Sequence, residues 1–444
     1  MSEYKVYVTS KNSDDRLKEY DLEKFIVDNK SENKIYIDTN KRYQKILGFG
    51  GALTEASAYA LSKLNIEDRK RVLESYYSSE NGIGYSFARV HIHSCDFALE
   101  NYTYVEEGDE TLETFSLERD EKYVLPLIRD VKHIKNDLTI LASPWSPPKY
   151  MKTNGDMNNG GKIKDEYKEL WANYYVKYIE AMKEKGIDIW AITVQNEPAA
   201  KQIWDSCEYT AEEERDFVKN YLGPVMHSNG MQDKKIIIWD HNRDIAYDRA
   251  KTVLEDKEAN KYVWGTGIHW YVSEEFANTS KIHEEFPDKH IIFTEGCQEG
   301  GVQLGSWLTG ERYGRNIIGD LNNYIEAWMD WNIALDETGG PNHVSNLCDA
   351  PVIIDTKKQE AIYNSSYYYI AHFSKFIKKN AIRTLTNVEC EKVYAVSCIN
   401  EDNSLCIVLM NENNKDKTIS LDVCNESLNI RLEANSIYTI IRKL

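Results

Sequence analysis

Eight short apolar runs in the middle of this 444-residue chain, with helical stretches between several of them, limit what it can fold into. They are Ile46-Leu-Gly-Phe-Gly-Gly, Gly84-Tyr-Ser-Phe-Ala-Arg-Val, Leu138-Thr-Ile-Leu-Ala-Ser, Ile189-Trp-Ala-Ile-Thr-Val-Gln, Lys235-Ile-Ile-Ile-Trp-Asp, Gly265-Thr-Gly-Ile-His-Trp, His290-Ile-Ile-Phe-Thr-Glu and Trp328-Met-Asp-Trp-Asn-Ile. Runs of this length read as strands buried on both faces. Between them, Asp165 to Lys185 is amphipathic and stops at Gly186, and Thr210-Ala-Glu-Glu is a capping box opening another helix. Buried strands alternating with helices predict a parallel sheet, and eight of them predict an α/β fold of (β/α)₈ barrel type. The competing open, doubly wound sheet would place a GxGxxG loop after its first strand, and none is there.

The two ends of the chain are patterned differently. All ten tryptophans lie between Trp145 and Trp331. Beyond them the chain alternates in short β-rich runs such as Val393-Tyr-Ala-Val-Ser-Cys-Ile and Leu405-Cys-Ile-Val-Leu-Met, separated by polar turns. That spacing predicts an antiparallel β-sandwich. Tyr4-Lys-Val-Tyr-Val and Lys34-Ile-Tyr-Ile-Asp repeat the pattern at the start. The expectation is a barrel over 46–380 and a discontinuous sandwich built from 1–45 and 381–444.

Charge and cysteine usage narrow the partners. With 54 Lys+Arg against 72 Asp+Glu, the net charge is −18, which repels nucleic acid. No apolar run is long enough to span a membrane. The first residues lack the apolar core of a signal peptide, so the expected location is cytoplasmic. The eight cysteines form no CxxC pair and read as free, mostly buried thiols. The residues leave association into a homo-oligomer open.

Barrel chemistry sits at the C-terminal strand ends, and polar groups gather there: Arg89, His91, His93 and Asp96 along and past strand two, Trp145 past strand three, Gln195-Asn-Glu-Pro past strand four, Asp240-His-Asn past strand five, His269-Trp-Tyr past strand six, Thr294-Glu-Gly past strand seven, Trp331-Asn past strand eight. One such residue is an ordinary solvated loop residue; so many on one rim are not. Two glutamates with several indoles, no phosphate loop and no metal-ligand spacing suit glycoside cleavage without a cofactor, which needs one protonated and one ionised carboxyl flanking the bond.

Gly48-Phe-Gly-Gly-Ala-Leu-Thr, Ala142-Ser-Pro-Trp-Ser-Pro-Pro, Lys152-Thr-Asn-Gly, Gln195-Asn-Glu-Pro, His269-Trp-Tyr, Trp331-Asn-Ile-Ala-Leu, Gly339-Gly-Pro-Asn and His372-Phe-Ser-Lys-Phe-Ile resemble glycoside hydrolase family 30, most of all its acid β-glucosidase (glucosylceramidase) branch. The resemblance covers roughly 46–380. It implies a barrel with a side sandwich, and a retaining, cofactor-free mechanism acting on terminal β-linked glucosyl residues. It implies that Glu197 is the acid/base and Glu295 the nucleophile. Asn196 would bond the sugar 2-hydroxyl and Asp96, beside Phe97, the distal hydroxyls. Trp145 and Trp331 would wall the pocket, Tyr271 would stand beside the nucleophile and Asn346 near the mouth. Arg89, His269 and Asp240 would set charge and orientation behind them. Three expectations follow: the two carboxyls stand about 5–5.5 Å apart, ionised Glu295 raises the pKa of Glu197, and Cys297, Glu299 and Glu311 lie outside the chemistry.

The chain departs from that branch at Gln195, where the branch carries Glu, and in the segments after Pro198 and Glu295. These loops face the leaving group. A β-1,6-glucanase, a β-xylosidase or β-fucosidase, and a non-catalytic carbohydrate-binding protein are the alternatives; the last is disfavoured by two intact glutamates.

Overall fold

The computed structural model describes residues 4–29, 31–424 and 426–444. Its centre is a closed barrel of eight parallel strands. In chain order they are β1 (Gly48–Ala52), β2 (Phe87–Ile92), β3 (Thr139–Pro144), β4 (Ala191–Thr193), β5 (Lys235–Asn242), β6 (Val263–His269), β7 (His290–Glu295) and β8 (Ala327–Asn332). Every apolar run named from the sequence supplies one. The largest difference is β4, which pairs over three residues only and leaves Gln195 to Glu197 beyond its end. The helices wrap outside as expected. Lys168–Glu184 ends before Gly186, whose φ of +76° suits a residue without Cβ. Both capping-box bonds of Thr210 and Glu213 form.

Inside the barrel the period of two separates an apolar base from a polar mouth. Phe87, Leu141, Ala191, Ile237, Ile292, Ala327 and Met329 fill one cluster, closed by Leu47, Trp190 and Trp264. Two residues further along β2 and β7, the same alternation gives Arg89 and Thr294, both fully buried. The base is solid packing, and polar groups such as Arg89 and Thr294 lie above it toward the strand ends.

The sandwich is one nine-stranded sheet doubled over its own core. Its strand order is Glu426–Leu432, Lys417–Val423, Lys34–Lys45, Ile382–Glu389, Val393–Ile399, Ser404–Asn411, Ser436–Lys443, Tyr4–Ser10, Lys18–Asp21. Strands from both termini therefore complete one sheet, over a core including Val6, Val8, Ile35, Ile37, Ile407, Ile419 and Ile440. It is not wholly antiparallel: Lys34–Lys45 runs parallel to Lys417–Val423. Alternation specifies which face is buried but not the direction of the neighbour, so this pair was invisible to the sequence. At the join with the barrel, the buried His372 ring bonds the hydroxyls of Thr439 (2.8 Å) and Thr9 (2.9 Å). Among the described residues, no helix is long and apolar enough to cross a membrane. All eight cysteines are free, six of them buried.

Candidate active site

Three breaks in strand register shape the mouth of the barrel. Between β5 and β6 the pairing slips at Asp240, between β7 and β6 at Thr294, and between β8 and β1 at Trp331. A bulge re-aims the extra residue, and all three extra residues belong to the polar cluster at the mouth. The backbone is also strained there: Glu197, Trp239 and Asp240 have φ values of 49°, 70° and 52°, a left-handed conformation that costs side-chain-bearing residues energy and gathers at functional sites. Two of these residues hold each other, since the Glu197 amide donates to the Asp240 carbonyl at 3.1 Å.

Arg89 is the hub. Its guanidinium pairs with Glu295 Oε2, and it donates to Asp240 Oδ2 at 2.8 Å, Asn196 Oδ1 at 2.9 Å and Ser143 Oγ at 3.1 Å. It lies 4.8 Å from the centre of the Trp145 ring and 5.4 Å from that of Trp331, and those two indoles stack at 5.3 Å. Phe97 meets Trp331 edge-on. The Tyr271 hydroxyl donates to Glu295 Oε1 at 2.8 Å, so both Glu295 oxygens are engaged. Tyr271 is itself placed by its amide, which donates to Asn242 Oδ1 at 2.7 Å. Across the site, His269 bridges Asp240 Oδ1 (2.9 Å) and Glu197 Oε1 (3.3 Å), while Thr294 Oγ1 donates to Asp240 Oδ1 at 2.6 Å. Asp96 accepts from Asn346 at 3.1 Å and Asn342 at 3.3 Å.

All twelve residues singled out from the sequence thus meet in one cluster: Asp96, Phe97, Trp145, Asn196, Glu197, Tyr271, Glu295, Trp331 and Asn346 line one cavity of about 280 Å³, and Arg89, Asp240 and His269 lie behind it. One oxygen each of Glu197 and Glu295 and a ring nitrogen of His269 lie within 4.8 Å of one another. That trio is also, among the described residues, the group that could ligate a metal ion. Each member already has a protein partner, and the Arg89 cation occupies Glu295, so an ion would have to displace these bonds.

The cavity has further walls: His241 and Asn242, noted at a strand end without an assigned role, and loop residues of which only Cys297 and Glu299 were named, as lying outside the chemistry. Gln202 and Trp204 come from the loop after β4, His241 and Asn242 from the end of β5, Val272 from the loop after β6, Cys297 and Glu299 from the loop after β7, and Cys348 from the loop after β8. Cys297 and Glu299, expected outside the chemistry, border it: the Cys297 thiol is 3.5 Å from the Tyr271 hydroxyl, and Glu299 pairs with Arg312 at the rim. Glu311 instead lies buried at the join with the sandwich, bonded by Asn435. Position at a strand end had already marked His241 and Asn242; Gln202, Trp204, Val272 and Cys348, in loops, offered no such signal.

The charges settle differently from the expectation that Glu295 raises Glu197. Burial opposes a charge on His269, yet Glu295, Asp240 and Glu197 together lift the ring to about 9, so it is a cation at neutral pH. Burial also pushes Glu197 up, but the His241 and His269 rings outweigh it and hold the carboxyl at about 2. Because burial lowers His241 itself, that ring is neutral near pH 7 and His269 carries the effect there. Glu295 is raised, first by burial and further by Glu197, against the pull of His269 and Arg89. Asp240 is held low by Arg89 and His269 against its own burial. Asp96 is pushed up to about 7 by burial and the charge of Glu295.

Residues 46–377 match the glycosyl hydrolase family 30 TIM-barrel domain and residues 380–440 its β-sandwich domain. The lysosomal acid glucosylceramidase of Mus musculus is 36% identical over 405 residues, 87% of this chain and 78% of that protein. The crystal structure of SrfJ from Salmonella typhimurium superposes with a TM-score of 0.95 at 31% identity, covering 100% of both chains. An endo-β1,6-glucanase structure gives 0.88 at 28% identity, again over 100% of both.

Proposed function

The chain belongs to glycosyl hydrolase family 30 and is an O-glycosidase, and from that premise we propose that it removes terminal β-linked glucosyl residues with retention of configuration. The observation that carries this reading is the approach of the two carboxyls. One oxygen of Glu197 and one of Glu295 lie within 4.8 Å of each other, an approach in keeping with the roughly 5–5.5 Å carboxyl separation of retaining enzymes.

In this reading Glu295 attacks the anomeric carbon. Arg89 and Tyr271 hold both of its oxygens, which orients the carboxylate and favours its ionised form as substrate arrives. Glu197 protonates the departing oxygen. His269 Nδ1 lies 3.3 Å from Glu197 Oε1 and orients that carboxyl from behind. The ionised Glu197 then takes a proton from the water that releases the sugar.

The stacked Trp145 and Trp331 offer an apolar face to the ring, and Asp96 with Asn346 ends the pocket beyond it, which favours removal of one terminal sugar. The glucosylceramidase likeness makes a glucosylated lipid the leading natural substrate. The endo-β1,6-glucanase likeness supports a second reading, internal cleavage of β-1,6-glucan. One experiment separates them: nitrophenyl β-glycosides of glucose, xylose and fucose alongside β-1,6-glucan, with products resolved by chromatography and proton NMR. Glucose released first as the β-anomer is expected; an α-anomer first overturns retention, and oligosaccharides as first products favour the glucanase.

A further inference from the structure

The glycosidase reading leaves one wall of the cavity without a task. Beside Glu197, at the edge of the cavity, stands His241. Its ring leans on Trp239 at 4.9 Å and is edge-on to His269. The residue is 8% exposed, and what remains open faces the cavity. Its two nitrogens differ. Nδ1 is sealed from solvent and, among the described residues, has no hydrogen-bond partner. Nε2 lies 3.7 Å from Glu197 Oε1, beyond hydrogen-bond reach.

A buried N–H without a partner is costlier than a buried bare lone pair. The tautomer that leaves Nδ1 bare puts the proton on Nε2. Burial keeps the ring neutral near pH 7, so there is one proton to place. The structure therefore offers one N–H donor, unmatched by protein, at the edge of the cavity next to the acid/base.

We propose that His241 is a specificity-determining residue of the leaving-group subsite, its Nε2–H donating to a hydroxyl of a polyhydroxylated leaving group adjacent to the scissile oxygen. This rests on the glycosidase reading above and deepens it. A leaving group with such a hydroxyl fills the 3.7 Å gap and bridges His241 to Glu197; a plain hydrocarbon leaves the donor stranded, which a site built for a hydroxyl penalises.

The test compares two ring alcohols as leaving groups that both need acid catalysis: cyclohexyl β-glucoside and a β-1,3-linked glucosyl-glucose, whose scissile oxygen sits on a ring carbon flanked by two hydroxyl-bearing carbons. His241→Phe keeps a ring and removes the donor; His241→Gln keeps an N–H. The expected result is about a tenfold loss of kcat/KM on the disaccharide with His241→Phe, less than threefold on the cyclohexyl glucoside, and partial recovery with His241→Gln. Equal losses on both substrates would mean that the ring acts through Glu197, and no loss on either would mean that it is inert; both overturn the proposal. Should His241→Phe fail to fold, as judged by circular dichroism, the Gln and Asn variants carry the same comparison, with the shorter Asn expected to lose more on the disaccharide than Gln, and neither to lose more than threefold on the cyclohexyl glucoside. A wild type that turns over neither substrate but cleaves another β-glycoside sinks the glucosyl reading rather than this assignment alone.

Discussion

The floor and the rim of the cavity are built on different principles. At the floor, Arg89, Asp240, His269, Thr294 and Glu295 are fully or nearly fully buried, and each is bonded to at least one of the others. They sit on strand ends and register slips, so the barrel itself holds them. At the rim, Gln202, Trp204, Val272 and Glu299 come from loops, and Val272 is 64% exposed. There the contacts are few: Gln202 reaches Glu197 only at 3.5 Å. The difference teaches where change is tolerated. A floor residue cannot move without unpairing a buried charge, whereas a rim residue answers mainly to its own loop. In the proposed function the floor would therefore fix the reaction and the rim the leaving group.

Breaking the floor at Glu295 should have the largest effect. Glu295→Gln is expected to lose on the order of 10⁴-fold or more in kcat on every substrate alike, because covalent capture is needed whatever departs. A loss that varies with the leaving group in steady-state assays would dissolve the distinction. Glu197 stands on the boundary and should behave as such. Glu197→Gln is expected to lose about 10²–10⁴-fold on an alkyl glucoside but far less in the first step on a dinitrophenyl glucoside, which departs unprotonated. Glycosyl-enzyme should then accumulate and be visible by intact-protein mass spectrometry.

A rim change sharpens the contrast from the other side. Trp204→Ala should raise KM by about tenfold for a lipid-linked or disaccharide substrate, from the loss of one stacking surface, and leave the hydrolysis rate of a small methyl glucoside within about threefold. Comparable losses on both would place Trp204 with the floor.

The smallest effect concerns stability. Asp96 titrates at about 7 in the folded chain, above its ordinary 3.8. Between these values the folded chain holds a proton that the unfolded chain has released. Its contribution to stability is therefore present in acid and is lost as pH rises through 7. Asp96→Asn should melt later than the wild type at pH 8 and by a clearly smaller margin at pH 5, while binding glucose-shaped inhibitors more weakly at pH 8. Scanning calorimetry at the two pH values checks the first, and titration with a glucose analogue the second.

How far the sequence could be read follows the same division. The eight strands were legible because burial on both faces leaves a continuous apolar run, and the floor because its side chains come within a residue or two of a strand end. Strand β4 was read too long, since nothing in Val194-Gln-Asn announces that Glu197 turns left-handed. Trp204 and Cys348 stayed hidden because loop residues reach the cavity only through the fold as a whole. The protonation pattern was hidden for a similar reason: it depends on a charged His269 lying between three carboxylates, a fact of distance and not of order along the chain. In the sandwich, alternation gave the strands but not the parallel neighbour of Lys34–Lys45.

One side chain at the floor also bears on folding. From β2, Arg89 is tied to Ser143 at the end of β3, Asn196 beyond β4, Asp240 on β5 and Glu295 on β7. These bonds form together only when all five strands have met in the right order and register. Until then the guanidinium has no complete set of partners, and Glu295 has no fixed orientation. A half-closed barrel is thus chemically silent, so that in a refolding experiment the return of hydrolysis would time the closing of the barrel rather than the earlier formation of its helices and strands.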